Sequence, residues 1–252
     1  MQYLTEGDNI GAMKTLIFDF ETTGVDPLTD TPVSVGFVEF DLASRSIVEE
    51  SETYFLINPG RSIPPEATAI HGITTEQARK EGVPLNEAIE RIHESIVLYD
   101  GPITGMNVSY DLTMLNTHKR LPNSLAIFDV LVLDKHFDKY RKGKRNLTSL
   151  AEHYKVESTD AHNALGDVIT TANVLGSMMG RYPEIAQMPI TELHEQQKLW
   201  HREWAEGYSN WRKANGQPPL TSGEYVWPIR MADDETTLDT TPPVQEQAVL
   251  FG

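Results

Sequence analysis

The spacing of apolar positions along the chain moves from strand-like to helix-like and divides it into elements. Residues 14–20 (KTLIFDF) form an apolar run of strand length. Two further runs follow at 33–40 (VSVGFVEF) and 46–57 (SIVEESETYFLI), separated by a turn-like DLAS. Together they predict a three-stranded antiparallel meander. A loop rich in Pro and Gly, NPGRSIPPEATAIHGIT, comes next. Over 84–98 the residues Leu85, Ala88, Ile89, Ile92 and Ile96 recur at helical spacing. From there strand and helix alternate. Short apolar strands are expected near Ile103 and over 126–133 (AIFDVLVL), with a helix around Leu112 to His118 between them and further helices at 147–154 and 162–180. The combination predicts a mixed α/β sheet with helices on its faces.

Residues 189–215 differ in character. Leu193, Gln197, Trp200, Trp204, Tyr208 and Trp211 lie three to four apart along an otherwise charged helix, the mark of a docking face that packs on the rest of the chain or on a partner. Beyond Ile229 the periodicity ends and Thr, Asp and Pro accumulate, so disorder is expected there, and residues 1–12 read as similarly untethered. The expected organisation is therefore a flexible segment at 1–12, a catalytic domain at 13–182, a helical Trp-rich extension at 183–230 and an acidic tail at 231–252.

Composition narrows the chemistry. With 252 residues and no cysteine, the chain can hold one good-sized domain with appendages, and any metal must be bound by oxygen or imidazole. The amino-terminal residues lack the layout of a signal peptide and no apolar stretch is long enough for a membrane span, so a cytoplasmic protein without membrane association is expected. A formal charge of −16 argues against a phosphate-bearing partner, but residues 231–252 contribute −5 of it through Asp233, Asp234, Glu235, Asp239 and Glu246 with no Lys or Arg. Lys135, Lys139, Arg141, Lys142, Lys144 and Arg145 form the opposite bias, either a solvated loop or a phosphate-contacting patch.

The strongest local signal is DFETTG at 19–24, at the end of the first strand. Strand alternation puts Asp19 and Glu21 on one face and Phe18 and Phe20 on the other. Two carboxylates held side by side repel, and a shared proton or a bound divalent cation resolves the repulsion. Further along, NVSYDLTML places Asp111 at the start of a helix, and DAHNALGDVITTANVL supplies His162 and Asp167. Five residues amount to about 140° around an ideal helix, so His162 is expected in an irregular segment ahead of the helix that carries Asp167.

In this order the pieces resemble the DEDDh exonucleases, the family of the proofreading epsilon subunit of bacterial DNA polymerase III. The resemblance covers residues 14–180 and rests on DFETTG, the Asp111 segment, HNALGD and the loop EATAIHGIT. It implies a ribonuclease-H-like fold, a mixed five-stranded sheet flanked by helices. It implies that Asp19, Glu21, Asp111 and Asp167 hold two divalent cations, Mg²⁺ or Mn²⁺, and that His162 is the general base of a 3′→5′ exonuclease. Glu66 and His71 match residues that contact the terminal nucleotide, with Thr22 and Thr23 beside them. Asp129 matches an acidic family position outside the metal set.

Hydrolysis of a phosphodiester needs a deprotonated water and relief of charge on the nonbridging and leaving oxygens, which a pair of metals supplies. The expected partner is a single-stranded or frayed 3′ end of DNA, and the expected products are nucleoside 5′-monophosphates. Trimming of RNA 3′ ends is the alternative, and a non-catalytic module that binds strand ends is the reading from another class. The chain carries no polymerase domain, so a proofreading role would need a DNA polymerase in trans. The string QAVLF, with Gln247, Leu250 and Phe251, is similar to the pentapeptide through which bacterial replication proteins bind the sliding clamp, although Ala248 stands where Leu is usual.

Overall fold

In KTLIFDFET, which forms β1 (Lys14–Thr22), consecutive apolar residues are buried on both sides of the strand, as a central strand requires. Ile17 joins one apolar cluster, while Leu16, Phe18 and Phe20 join another on the opposite face. The computed structural model describes residues 13–159 and 163–230. β1 pairs antiparallel with β2 (Pro32–Asp41), which pairs antiparallel with β3 (Ser46–Ile47) and β4 (Thr53–Asn58). On its other edge β1 pairs parallel with β6 (Ile103–Gly105), and β6 pairs parallel with β7 (Ile127–Asp129). β5 (Val83–Pro84) lies beside β4, giving the order β5-β4-β2-β1-β6-β7 with β3 on the flank of β2. The body is the five strands β1, β2, β4, β6 and β7 of the ribonuclease-H-like sheet, to which the two-residue β3 and β5 are added.

Two expected strands come out differently. The run 46–57 breaks into β3 and β4 because Glu49, Glu50, Ser51 and Glu52 offer nothing apolar to bury; Glu50 turns to φ 58°, and Ser51 Oγ donates to Val48 O (2.7 Å) and accepts from Glu39 N (3.0 Å). The run 126–133 is a strand only as far as Asp129. Asp129 accepts from Leu131 N (2.9 Å) and caps α5 (Val130–Phe137), whose Val130, Val132 and Leu133 are all buried. A short run buried all round has no period to separate strand from helix.

α3 (Leu85–Val97) and α4 (Ser109–His118) cover the face that carries Phe18 and Phe20. α6 (Leu147–Tyr154) and α7 (Ala164–Arg181) cover the face that carries Ile17. The Pro- and Gly-rich loop contains α1 (Pro65–His71) and is followed by α2 (Thr75–Glu81), a short helix that buries only Ala78. After α8 (Glu184–Gln187), α9 (Ile190–Ala214) runs along the open edge of β7. Its Gln197 accepts from Asp129 N (2.8 Å) and donates to Ile127 O (2.9 Å), while His194 Nδ1 accepts from Ile127 N (3.1 Å). Side chains of α9 thus occupy main-chain groups that a bare sheet edge would leave open. Among the described residues no helix is long and apolar enough to cross a membrane. The segments 1–12 and 231–252, with Gln247, Leu250 and Phe251, lie outside the described residues.

Candidate active site

Asp19 and Glu21 alternate with Ile17 and so face α7. What lets α7 come close is Gly36, the β2 partner of Asp19: a Cβ there would lie 2.5 Å from Ala164 O, at the first residue of the helix. Asn163 starts that helix by accepting from Leu165 N (3.0 Å), and Asp167 falls in its first turn. As a result one carboxylate oxygen each of Asp19, Glu21 and Asp167 lies within 4.8 Å of the others.

Asp111 arrives from the other side. Asn107 adopts a left-handed backbone (φ 60°) that ends β6, and Asp111 lies in the first turn of α4, where its Oδ1 accepts from Phe20 N (3.1 Å) between the two β1 carboxylates. Burial raises the Asp19 carboxyl well above its ordinary range, and the charges of Asp111, Asp167 and Glu21 raise it further. Burial likewise lifts Asp111, against the opposing pull of the Phe20 N–H. Glu21 is pushed up to about 7 by burial and then by Asp167. Among the described residues no Lys or Arg forms an ion pair with Asp19, Glu21 or Asp111. A set of buried and half-buried carboxylates that cannot all ionise beside one another, with only oxygen donors, fits a hard divalent cation.

The TTG of the motif builds the turn after β1. Thr23 Oγ1 donates to Asp30 Oδ1 (2.9 Å), and a Cβ on Gly24 would lie 2.4 Å from the same carboxyl group. Thr22 Oγ1 donates to Gly24 O (2.7 Å) and lies 3.2 Å from the Tyr110 hydroxyl. Tyr110, next to Asp111, has no periodic signal in the sequence, yet its hydroxyl joins the turn to α4. Tyr54 on β4 likewise has no such signal; burial raises its hydroxyl pKa, the Ser34 hydroxyl opposes that, and the Glu21 charge adds to it. Glu66 is exposed in the first turn of α1, and His71 ends that helix, its Nδ1 accepting from Ile73 N (3.1 Å). Ile63, Ala67 and Ile73 hold this segment on Val33 of β2, one residue from the partner of Glu21. His162 lies outside the described residues, and α7 begins two residues after it.

Asp129 is at the end of β7 and not within a longer strand. Its Oδ1 accepts from Asn107 N (3.0 Å) and Leu131 N (2.9 Å), and its Oδ2 accepts from Trp227 Nε1 (3.4 Å). The basic run is largely engaged within the fold. Arg141 and Arg145 both pair with the buried Asp134, Lys139 pairs with Glu203 (2.8 Å), and Lys135 turns inward over the Trp204 ring (3.1 Å). Only Lys142 and Lys144 of that run remain fully exposed without an ion pair among the described residues.

A sequence model of the RNase T family, described as exonuclease, matches residues 16–175. The DNA polymerase III epsilon subunit of Rickettsia conorii is 28% identical over 181 residues, which cover 68% of this chain and 76% of that protein. PolC-type DNA polymerase III of Thermotoga maritima is 29% identical over 202 residues, 78% of this chain but 14% of that one. A structure of exonuclease I aligns with a TM-score of 0.61 at 23% identity, covering 68% of this chain and 42% of the other. Exonuclease I of E. coli in complex with a dT13 oligonucleotide aligns at 0.59 with 22% identity, again over 68% and 42%. At these identities the structural likeness is one of fold, and this chain spans less than half the length of exonuclease I.

Proposed function

The chain belongs to the RNase T family of exonucleases, and on that footing we propose that it is a metal-dependent 3′→5′ exonuclease that removes nucleoside 5′-monophosphates from the 3′ end of single-stranded or frayed DNA. The observation that carries this reading is the meeting of Asp19, Glu21 and Asp167 within 4.8 Å, with Asp111 bonded to the strand between the first two. These four residues would hold a pair of divalent cations, Mg²⁺ or Mn²⁺. When bound, such ions lower the pKa of a water and offset the charge that develops on the phosphate oxygens. The protein's part is to keep the four carboxylates on three rigid elements, so that little rearrangement is needed when substrate arrives.

His162 takes the proton of the attacking water, a general-base role to which an imidazole side chain is suited near neutral pH. Glu66 and His71 contact the terminal nucleotide together with Thr22 and Thr23, a reading supported by the packing of Ile63, Ala67 and Ile73 on Val33 of β2. DNA is favoured over RNA because the similar proteins include a DNA polymerase III epsilon subunit, a PolC-type DNA polymerase III and an exonuclease seen with an oligothymidylate. In this reading residues 13–182 are the catalytic unit and 183–230 an extension that closes the β7 edge. A DNA polymerase in trans and a sliding clamp bound through Gln247, Leu250 and Phe251 are the partners that would place it at replicating DNA.

The test is product identity. Matched DNA and RNA strands incubated with the protein and Mg²⁺ should yield mononucleotides bearing a 5′-phosphate from the first time point, faster from DNA. Faster release from RNA would replace the DNA reading with RNA trimming, and oligonucleotide products at early times would contradict exonucleolytic cleavage.

A further inference from the structure

A cavity of about 110 Å³ opens between the start of α4, the buried side of α5, the outer half of α9 and residues 220–230. That is room for several waters, and so for a phosphate group. Three cationic side chains line it: Lys135, Arg212 and Arg230. Neither Lys135 nor Arg230 forms an ion pair among the described residues. Lys135 sits over Trp204, a cation–π contact that leaves its donors unused.

The two carboxylates that line the cavity are already engaged. Asp129 accepts the three N–H bonds described above, and Glu224 accepts from Thr221 N (2.8 Å). Half-buried Trp204 and Tyr208 stack on each other at 5.1 Å and add an aromatic wall.

We propose that this cavity is a second nucleotide-binding site, in which Lys135 and Arg230 hold a phosphate group and the Trp204–Tyr208 wall lies against the rest of the nucleotide. Cations combined with aromatic faces are the chemistry by which proteins hold single-stranded nucleic acid and nucleotides. The ligand is either one unit of a bound strand or a nucleoside monophosphate released by cleavage; the second source rests on the exonuclease reading, while binding itself, read in EDTA, does not. Burial pushes the Lys135 ammonium down to about 8, with Arg145 and Arg230 adding to the effect and Asp129 opposing it, and an arriving phosphate would relieve that strain.

The test uses the full chain in EDTA, where the site stands apart from catalysis, and follows tryptophan fluorescence as thymidine 5′-monophosphate or an oligothymidylate is added. Saturable quenching is expected. Lys135→Met and Arg230→Ala should each weaken it about tenfold, the weight of one charge-assisted hydrogen bond, whereas Asp19→Ala should bind as the wild type does. If the oligothymidylate competes with the mononucleotide and Lys135→Met raises KM on single strands, the ligand is a strand unit. If only the mononucleotide binds and both variants lose product inhibition, it is the released nucleotide. Absence of saturable binding by either probe, or binding that both variants leave unchanged, overturns the proposal even if the protein proves to be an exonuclease.

Discussion

Gly36 and Ala164 are packed so closely that a Cβ at residue 36 would lie 2.5 Å from the Ala164 carbonyl oxygen. Gly36 pairs with Asp19 across the sheet, and Ala164 opens the helix that carries Asp167. The distance between two elements of the carboxylate cluster therefore depends on a missing methyl group. Gly36→Ala should push α7 off the sheet, costing about 1–3 kcal/mol as overpacked cores do. Nuclease activity should fall with it, since Asp167 moves while every carboxylate remains. Thermal melting and kcat measured together check this; a variant with normal stability and normal kcat would show that the contact does not position the site.

The carboxylate cluster should make the metal-free protein respond to pH in a definite direction. Glu21 is pushed up to about 7 from an ordinary value of 4.5, so the folded state binds its proton more tightly than the unfolded state does. Its contribution to stability is complete below about 4.5 and is lost as pH rises through about 7. In EDTA, Glu21→Gln should therefore gain stability relative to wild type as pH increases across that window, and saturating Mg²⁺ should favour the wild type instead. Melting curves of both proteins at the two ends of the window decide it. A wild type that gains on Glu21→Gln with rising pH in EDTA would contradict the burial and like-charge account of this residue.

Gln197 binds both Asp129 N and Ile127 O at the edge of β7. Gln197→Leu keeps the bulk but leaves two buried main-chain groups unbonded, at roughly 1–3 kcal/mol each. The expected result is a lower melting temperature with metal-dependent activity retained per folded molecule. An unchanged melting temperature would mean that α9 does not secure that edge.

Periodicity was legible where one side of an element is wet. The helix with Leu85, Ala88, Ile89, Ile92 and Ile96 is found where its stripe lies, because its outer face is solvated. The run around Asp129 misled because residues buried on all sides carry no period, and the cap that starts α5 depends on one aspartate with contacts distant in sequence. The meeting of Asp19 with Glu21 followed from strand alternation, but the approach of Asp167 depends on Gly36, whose role is visible only once α7 is seen against it. The basic run looked available to phosphate in sequence; Asp134, the buried partner of Arg141 and Arg145, lies in the same segment, but its burial could not be read there. The cavity beside Lys135 gathers residues from positions 107 to 230 and left no local signature.

The central claim is that Asp19, Glu21, Asp111 and Asp167 form a divalent-cation centre that cleaves nucleic acid from the 3′ end. It is tested most directly by following a single strand labelled at its 5′ end, with Mg²⁺ and with EDTA, for the wild type and for Asp167→Ala. The account expects a ladder that shortens one nucleotide at a time in Mg²⁺, no shortening in EDTA, and a rate about 100-fold lower or less in Asp167→Ala, since even residues that only support metal ligands are worth 10–100-fold. Full activity of Asp167→Ala in Mg²⁺, or shortening by the wild type that persists in EDTA, would contradict it.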